Sequence, residues 1–257
     1  MMEARRWIQP SVNGEMQFSM RASSKERVWG GVEAATYDVS AGIAERGPAA
    51  AYILILHLSA PVNGSCRCGG PTQTRVMGPG DMDFVPVGFD ATWLDRAPGS
   101  VLNVRLNPSF VMSTAEAMHA RNNGGVGMAP RLHLADRRLE HLARAIVDEL
   151  EGDEPDRLFA ESVSTSMASY LLRRYGSAPS STASGGLSTR VLHDVFEYID
   201  DNLAASFGLA DLAAVARVSQ SHFKTLFKRS TGLPVHQYVV RQRVDLAVRL
   251  ITRGRSR

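Results

Sequence analysis

LADLAAVARVSQSHFKTLFKRSTGLPVHQY, residues 209–238, is the stretch from which the rest of the chain is read. Ser219 suits a helix N-cap, because its hydroxyl can accept a hydrogen bond from a free amide of the first turn. At about 100° per residue, Phe223, Leu226 and Phe227 fall on one face of the following helix. Ser221, Lys224, Thr225 and Lys228 fall on the opposite side. The apolar face must pack on something. The other face has two cations and two small hydroxyls and no acid, a composition that suits hydrogen bonding to base edges and phosphates. Upstream, Leu209 to Arg217 is short and alanine-rich, and its alanines permit close helix approach. The Val218–Ser219 junction leaves room only for a tight turn. Two short helices meeting steeply make a helix-turn-helix, whose second helix enters the major groove. Periodicity alone is met equally well by an ordinary helical hairpin with a solvated basic face.

The run from Leu209 through Leu250 resembles the first half of the DNA-binding domain of the AraC/XylS family of transcriptional regulators. The resemblance is carried by the quoted stretch, then by Arg243, Ala247 and Leu250-Ile251. It implies two helix-turn-helix units joined by a long helix, each entering an adjacent major groove of double-stranded DNA. By that resemblance Ser221, Lys224 and Thr225 face bases, and Gln220, Lys228 and Arg229 are placed for phosphates. A linker helix is expected from Pro234 to about Ile251, with an apolar stripe at Val240, Val244, Ala247 and Ile251. The second unit would follow it, whereas the sequence given continues only as Thr252 to Arg257. A partial domain, 187–257, with weakened DNA binding is therefore expected.

Charge supports a polyanionic partner. The net charge is +3. From Leu187 onward there are 11 Lys and Arg against 6 Asp and Glu, a net of +5, which leaves −2 for residues 1–186. Gly176 to Gly186, GSAPSSTASGG, is small and polar and is expected to be a flexible linker. The longest apolar run, Ala49 to Leu58, is too short to span a bilayer, and no apolar segment follows Arg5 and Arg6 as a signal peptide requires. These features predict a cytoplasmic protein with no membrane partner.

Residues 1–115 read as mostly strand. Ala51–Leu58, Thr74–Met77, Asp83–Val87 and Val101–Leu106 are the candidate strands. Turns are expected at Pro61-Val62-Asn63-Gly64, Cys68-Gly69-Gly70-Pro71, Gly78-Pro79-Gly80-Asp81 and Ala97-Pro98-Gly99. Short strands at this spacing suggest a small barrel or sandwich. GPGDMDFVPVGFDATW followed by LNVRLNPSFV resembles the cupin-like sensor domain of the same family. Within residues 116–175, two helices are expected in 133–175, with stripes Leu139, Leu142, Ala143, Ile146, Leu150 and Val163, Met167, Tyr170, Leu171. They either form a homodimer contact, as the resemblance implies, or pack on the sheet domain. The fold class is α+β: a cupin-like sheet domain, a helical region and a helical DNA-binding segment.

Trp29, Tyr52, Phe84 and Trp93 are candidates to line a small-molecule effector pocket, since such pockets are mostly apolar; aromatics there would equally fill a core. A metal-dependent cupin enzyme needs about three His or carboxylate ligands, and the His-x-His pair is absent, with His57 alone in its strand. Cys66 and Cys68 are too few for a structural zinc site. As an accessible loop pair they could serve a redox or soft-metal role; the alternative reading of the chain is a small-molecule- or redox-sensing cupin-like protein in which the DNA-binding segment is vestigial. There is no phosphate-binding glycine loop and no nucleophile elbow. No catalytic residue, metal or cofactor is expected.

Overall fold

The computed structural model describes residues 14–25, 27, 29–118, 127–152, 155–177, 186–187 and 189–254. Nine strands come first: β1 Phe18–Ser23, β2 Val32–Val39, β3 Gly42–Arg46, β4 Tyr52–His57, β5 Val62–Cys68, β6 Gln73–Met77, β7 Met82–Val85, β8 Ala91–Asp95 and β9 Gly99–Leu106. Helix α1 spans Pro108–Ala117, and the short β10 (Gly127–Met128) and β11 (Arg131–Leu134) follow. Next come α2 Arg137–Glu151, α3 Arg157–Tyr175 and β12 Gly176–Ser177, and the chain closes with α4 Thr189–Asp201, α5 Leu209–Val215, α6 Gln220–Thr231 and α7 Val235–Gly254.

Ten of the strands form two antiparallel sheets packed as a sandwich, and β10 and β12 pair separately. One has six strands in the order β1-β2-β9-β4-β7-β11, the other four in the order β3-β8-β5-β6. Among the described residues they do not close into a continuous barrel. Strand β4 is the central case. Its sequence, YILILH, lacks polar alternation because both of its faces are covered. Leu54 and Leu56 join Leu102, Val104, Met82 and Phe84 against the stripes of α2 and α3. Ile53 and Ile55 turn the other way, toward the four-stranded sheet.

The two helical stripes expected within 133–175 are present, and they pack on this sheet. Leu139, Ala143, Ile146 and Leu150 of α2 and Val163, Met167 and Leu171 of α3 are buried in the core they share with the sheet. A dimer contact on those stripes is therefore excluded. Helix α3 does leave Leu158 and Phe159 exposed, at 73% and 46%. Asp136 and Asp156 cap α2 and α3, each carboxylate accepting two backbone N–H bonds.

One expected turn is corrected: Val62, Asn63 and Gly64 belong to β5, whose burial alternates regularly and which runs on to Cys68, whereas Gly69-Gly70-Pro71 connect β5 to β6 as expected. Gly64 stands inside that strand because a Cβ there would lie 2.5 Å from Leu94 O and 2.7 Å from Asp95 Oδ1. Gly78 to Asp81 is a turn as expected: Gly80 has φ +95°, and Asp81 Oδ2 accepts from Gly78 N at 2.8 Å. Of the expected flexible linker, residues 178–185 lie outside the described residues, as does the tail 255–257.

A separate core holds the last four helices. It is centred on Phe196, Phe223, Phe227 and Tyr238, whose ring contacts run from 5.3 to 6.1 Å between centroids. Ala50 and Met112 of the sheet unit enter the same core. Asp200 Oδ2 accepts from Asn107 Nδ2 at 3.1 Å and from Ser109 Oγ at 2.9 Å. Gln242 Nε2 donates to Ala50 O at 3.0 Å. Gly88 and Gly232 meet backbone to backbone: a Cβ on Gly88 would fall 2.1 Å from Thr231 O.

Candidate nucleic-acid interface and interior cavity

Helix α6 presents the two faces that its periodicity predicts. Ser219 caps it, its hydroxyl accepting from His222 N at 3.3 Å. Phe223 and Phe227 are fully buried, and Leu226 is half-buried. Gln220, Ser221, Lys224, Thr225, Lys228 and Arg229 are all exposed. The Thr225 hydroxyl lies 3.4 Å from Ser221 O, within its own helix. Lys228 and Arg229 stand in the last turn, where the helix dipole favours cations. Gly232 ends the helix at φ +73°, its N–H donating to Lys228 O. The turn from α5 is tight: Arg217 takes φ +54°, and Val218 N donates to Ala213 O at 3.0 Å. In helix α7, Val240 and Val244 of the apolar stripe are exposed at 42% and 55%, while the side chain of Ile251 lies outside the described residues.

The four aromatics named as a possible effector pocket are not brought together. Trp29, Tyr52 and Phe84 sit in the core between the six-stranded sheet and the helices, with Tyr52 and Phe84 stacked at 6.3 Å. Trp93 alone faces the space between the two sheets. That space holds a cavity of ≈ 220 Å³ whose wall includes Tyr37, Ile55, His57, Trp93, Asp95 and Asn103. Strand pairing explains the set. Ile55 is opposite Asn103 on β9 and His57 is opposite Val101, while Tyr37 on β2 is also opposite Val101. The inward positions of β2, β4 and β9 therefore converge. The alternation Val101, Asn103, Arg105 against Leu102, Val104, Leu106 carries this face in the sequence.

Asp83 anchors one side of the cavity. It is fully buried and ion-paired to Arg75, which donates to Oδ1 at 2.7 Å and also to Oδ2. Trp93 Nε1 donates to Asp83 Oδ2 at 2.9 Å, which fixes the indole, and His133 N donates to Oδ1 at 3.0 Å. Two other buried atoms on residues of the wall, His57 Nε2 and Asn103 Oδ1, have no hydrogen-bond partner among the described residues. Burial holds the His57 imidazole below its usual range, against the nearby Asp83 charge that pulls it up.

Burial raises the Asp95 carboxyl to about 6 from its ordinary 3.8, with Arg75 opposing and Asp83 reinforcing the shift. A folded-state pKa above the unfolded one means that stability falls as pH rises from about 4 to about 6 and stays reduced above that. Asp95→Asn should therefore stabilise the protein at neutral pH by about 1–2 kcal/mol, a figure discounted for the partial exposure of the group. The gain should vanish below the ordinary carboxylate range, and urea denaturation at the two pH values checks it.

The cysteine pair is not an accessible loop pair. Cys66 and Cys68 lie in β5, are both buried, and are free thiols. Burial pushes Cys66 up to about 12 and Cys68 up to about 11, with nearby carboxylates adding to the effect. Thiols held protonated in this way are poor nucleophiles and poor redox sensors. Among the described residues no group of three His, Cys, Asp or Glu side chains could hold a metal ion, and no helix is long and apolar enough to cross a membrane.

No family model matches the chain. LumQ of Photobacterium leiognathi, a probable transcriptional regulator, is 33% identical over 116 residues, which is 45% of this chain and 45% of that protein. The match thus spans less than half the length of that relative. ToxT from Vibrio cholerae O395, bound to (E)-4-(8-methylnaphthalen-1-yl)but-3-enoic acid, shares the fold with a TM-score of 0.60 at 10% identity, covering 87% of this chain and 85% of ToxT. ToxT from strain SCE256, bound to an unsaturated fatty acid, has a TM-score of 0.57 at 9% identity, covering 92% and 83%. The AraC-like transcriptional activator CuxR aligns at 17% identity over 90% of this chain and 80% of CuxR, with a TM-score of 0.45.

Proposed function

We propose that this chain, which resembles AraC/XylS-type regulators in its reading helices and in its fold, is a sequence-specific DNA-binding transcriptional regulator responsive to a small molecule, and not an enzyme. The observation that carries the reading is α6: a fully buried Phe223 and Phe227 beneath an exposed face with Lys224 and Lys228. In this reading Ser221, Lys224 and Thr225 contact base edges in the major groove, while Gln220, Lys228 and Arg229 hold phosphates. The sheet unit, through residue 115, is the sensor and the cavity between its sheets is the effector site. Residues 116–175 are a helical region, 176–186 a linker and 187–257 the DNA-binding part. A homodimer through residues 133–175 uses their outward side, where Leu158 and Phe159 are exposed. The ToxT likeness supports the fold alone, and the bound ligands in those structures show that the same architecture accommodates a small molecule in ToxT.

Phosphate contacts of this kind make DNA binding fall with salt, with an expected log–log slope of roughly −3 to −5. Lys228→Ala should weaken binding to all sequences alike and reduce the slope by about 1. Lys224→Ala should instead relax the base preference at one position in sequences selected from a random duplex library. Filter binding across a salt series, with selection for each variant, tests both. Identical behaviour of the two variants, or no salt-sensitive binding at all, refutes the assignment of roles.

A further inference from the structure

The cavity between the two sheets is large enough for a ring compound: ≈ 220 Å³, where a dry cavity of about 150 Å³ already holds benzene. Phe18, Tyr37, Ile55, Trp93 and Val101 give it mostly apolar and aromatic walls. Its polar features are unusual in two respects. Asn103 Oδ1 and His57 Nε2 belong to its wall, are buried, and have no partner among the described residues. His57 is itself 6% exposed. A buried polar atom left without a partner is costly, and a ligand that supplies the missing bond recovers that cost.

The charges on the wall select against an acid. Glu15, Glu45 and Asp95 contribute carboxylates, and Arg46 is the single Arg or Lys among the described lining residues. Arg46 already has interactions of its own. A ligand carboxylate only accepts hydrogen bonds, so it leaves Asn103 Oδ1 unpaired and adds like charge. A hydroxyl both donates and accepts. It can donate to Asn103 Oδ1 while accepting from His57 in the tautomer that carries its proton on Nε2. We propose that the cavity is a binding site for an uncharged, hydroxyl-bearing ring compound, read by Asn103 and His57 and discriminating against the corresponding carboxylic acid. This names the ligand class of the effector site and rests on the reading of the sheet unit as a sensor.

The test uses the whole chain, without DNA, and a matched pair of probes: 4-hydroxybenzyl alcohol and 4-hydroxybenzoate, which share ring and phenol and differ in one group. Isothermal titration and thermal-shift measurements should show saturable binding of the alcohol, at least tenfold tighter than the acid. Asn103→Leu should lower affinity for the alcohol tenfold or more while leaving the ligand-free melting temperature equal or higher, because the variant removes an unpaired buried acceptor. His57→Phe gives a second, independent loss. Equal or tighter binding of the acid overturns the proposal. So does the absence of saturable alcohol binding to the unmodified chain, or retention of unmodified affinity by both variants. Because DNA binding is read separately from its salt dependence, a failure here and a failure of the regulator reading are distinguishable.

Discussion

Replacing Phe227 with alanine should destabilise the helical unit by about 3–5 kcal/mol, the usual cost of deleting a buried phenyl ring. The side chain is fully buried. Its ring lies 6.1 Å from that of Phe196, 5.5 Å from Phe223 and 5.5 Å from Tyr238, so its loss opens the middle of a core only four helices deep. Urea denaturation followed by circular dichroism should show the helical transition moving to lower denaturant. Phe227→Leu, which keeps most of the volume, should cost under about 1.5 kcal/mol. DNA retention by Phe227→Ala should fall with the folded fraction, unlike Lys228→Ala, whose stability should be unchanged to within about 0.5 kcal/mol. An alanine variant that unfolds at the parental midpoint contradicts the packing.

The second large effect belongs to Asp83. Asp83→Ala strands the Arg75 guanidinium, 5% exposed, without its counter-charge. It also orphans the indole N–H of Trp93 and the backbone N–H of His133. Breaking one side of a buried ion pair costs about 3–5 kcal/mol. The double substitution Asp83→Leu with Arg75→Met should recover most of the loss, because replacing both partners by apolar groups is often neutral or better. A thermal melt of the single and double variants decides the matter. If the double variant is no more stable than Asp83→Ala, the orphaned N–H groups and not the unpaired charge dominate.

Much of the helical half can be read from the chain. The Ser219 cap, the Phe223–Phe227 face and the tight turn before them are local, and local geometry settles them. Helix α4 obeys the same rule, with Leu192, Val195, Phe196 and Ile199 buried at helical spacing. The sheet half is harder, for a physical reason. A strand residue points to one of two faces, and only the pairing of strands tells which face meets which layer. Tyr52 and Phe84 are as aromatic as Trp93, yet they face the helices while Trp93 faces the cavity. Asn63-Gly64 has the composition of a turn, but it extends as strand because the backbone of β8 passes too close for a side chain at Gly64. Asn103 stands out in the alternation of β9, but its significance depends on Ile55 and His57 arriving beside it from another strand.

The seam between the sheet and the last four helices has a mechanical consequence. Ala50, whose carbonyl is held by Gln242, stands two residues before the start of β4. Asn107, which holds Asp200, directly follows the last residue of β9. These neighbouring strands, carrying Ile55, His57 and Asn103 on their inner side, thus terminate on the residues that grip α7 and α4. No flexible span is interposed at either anchor. A guest that spreads or draws in this pair of strands moves both anchor points at once, as the two arms of a pair of tongs move what they hold.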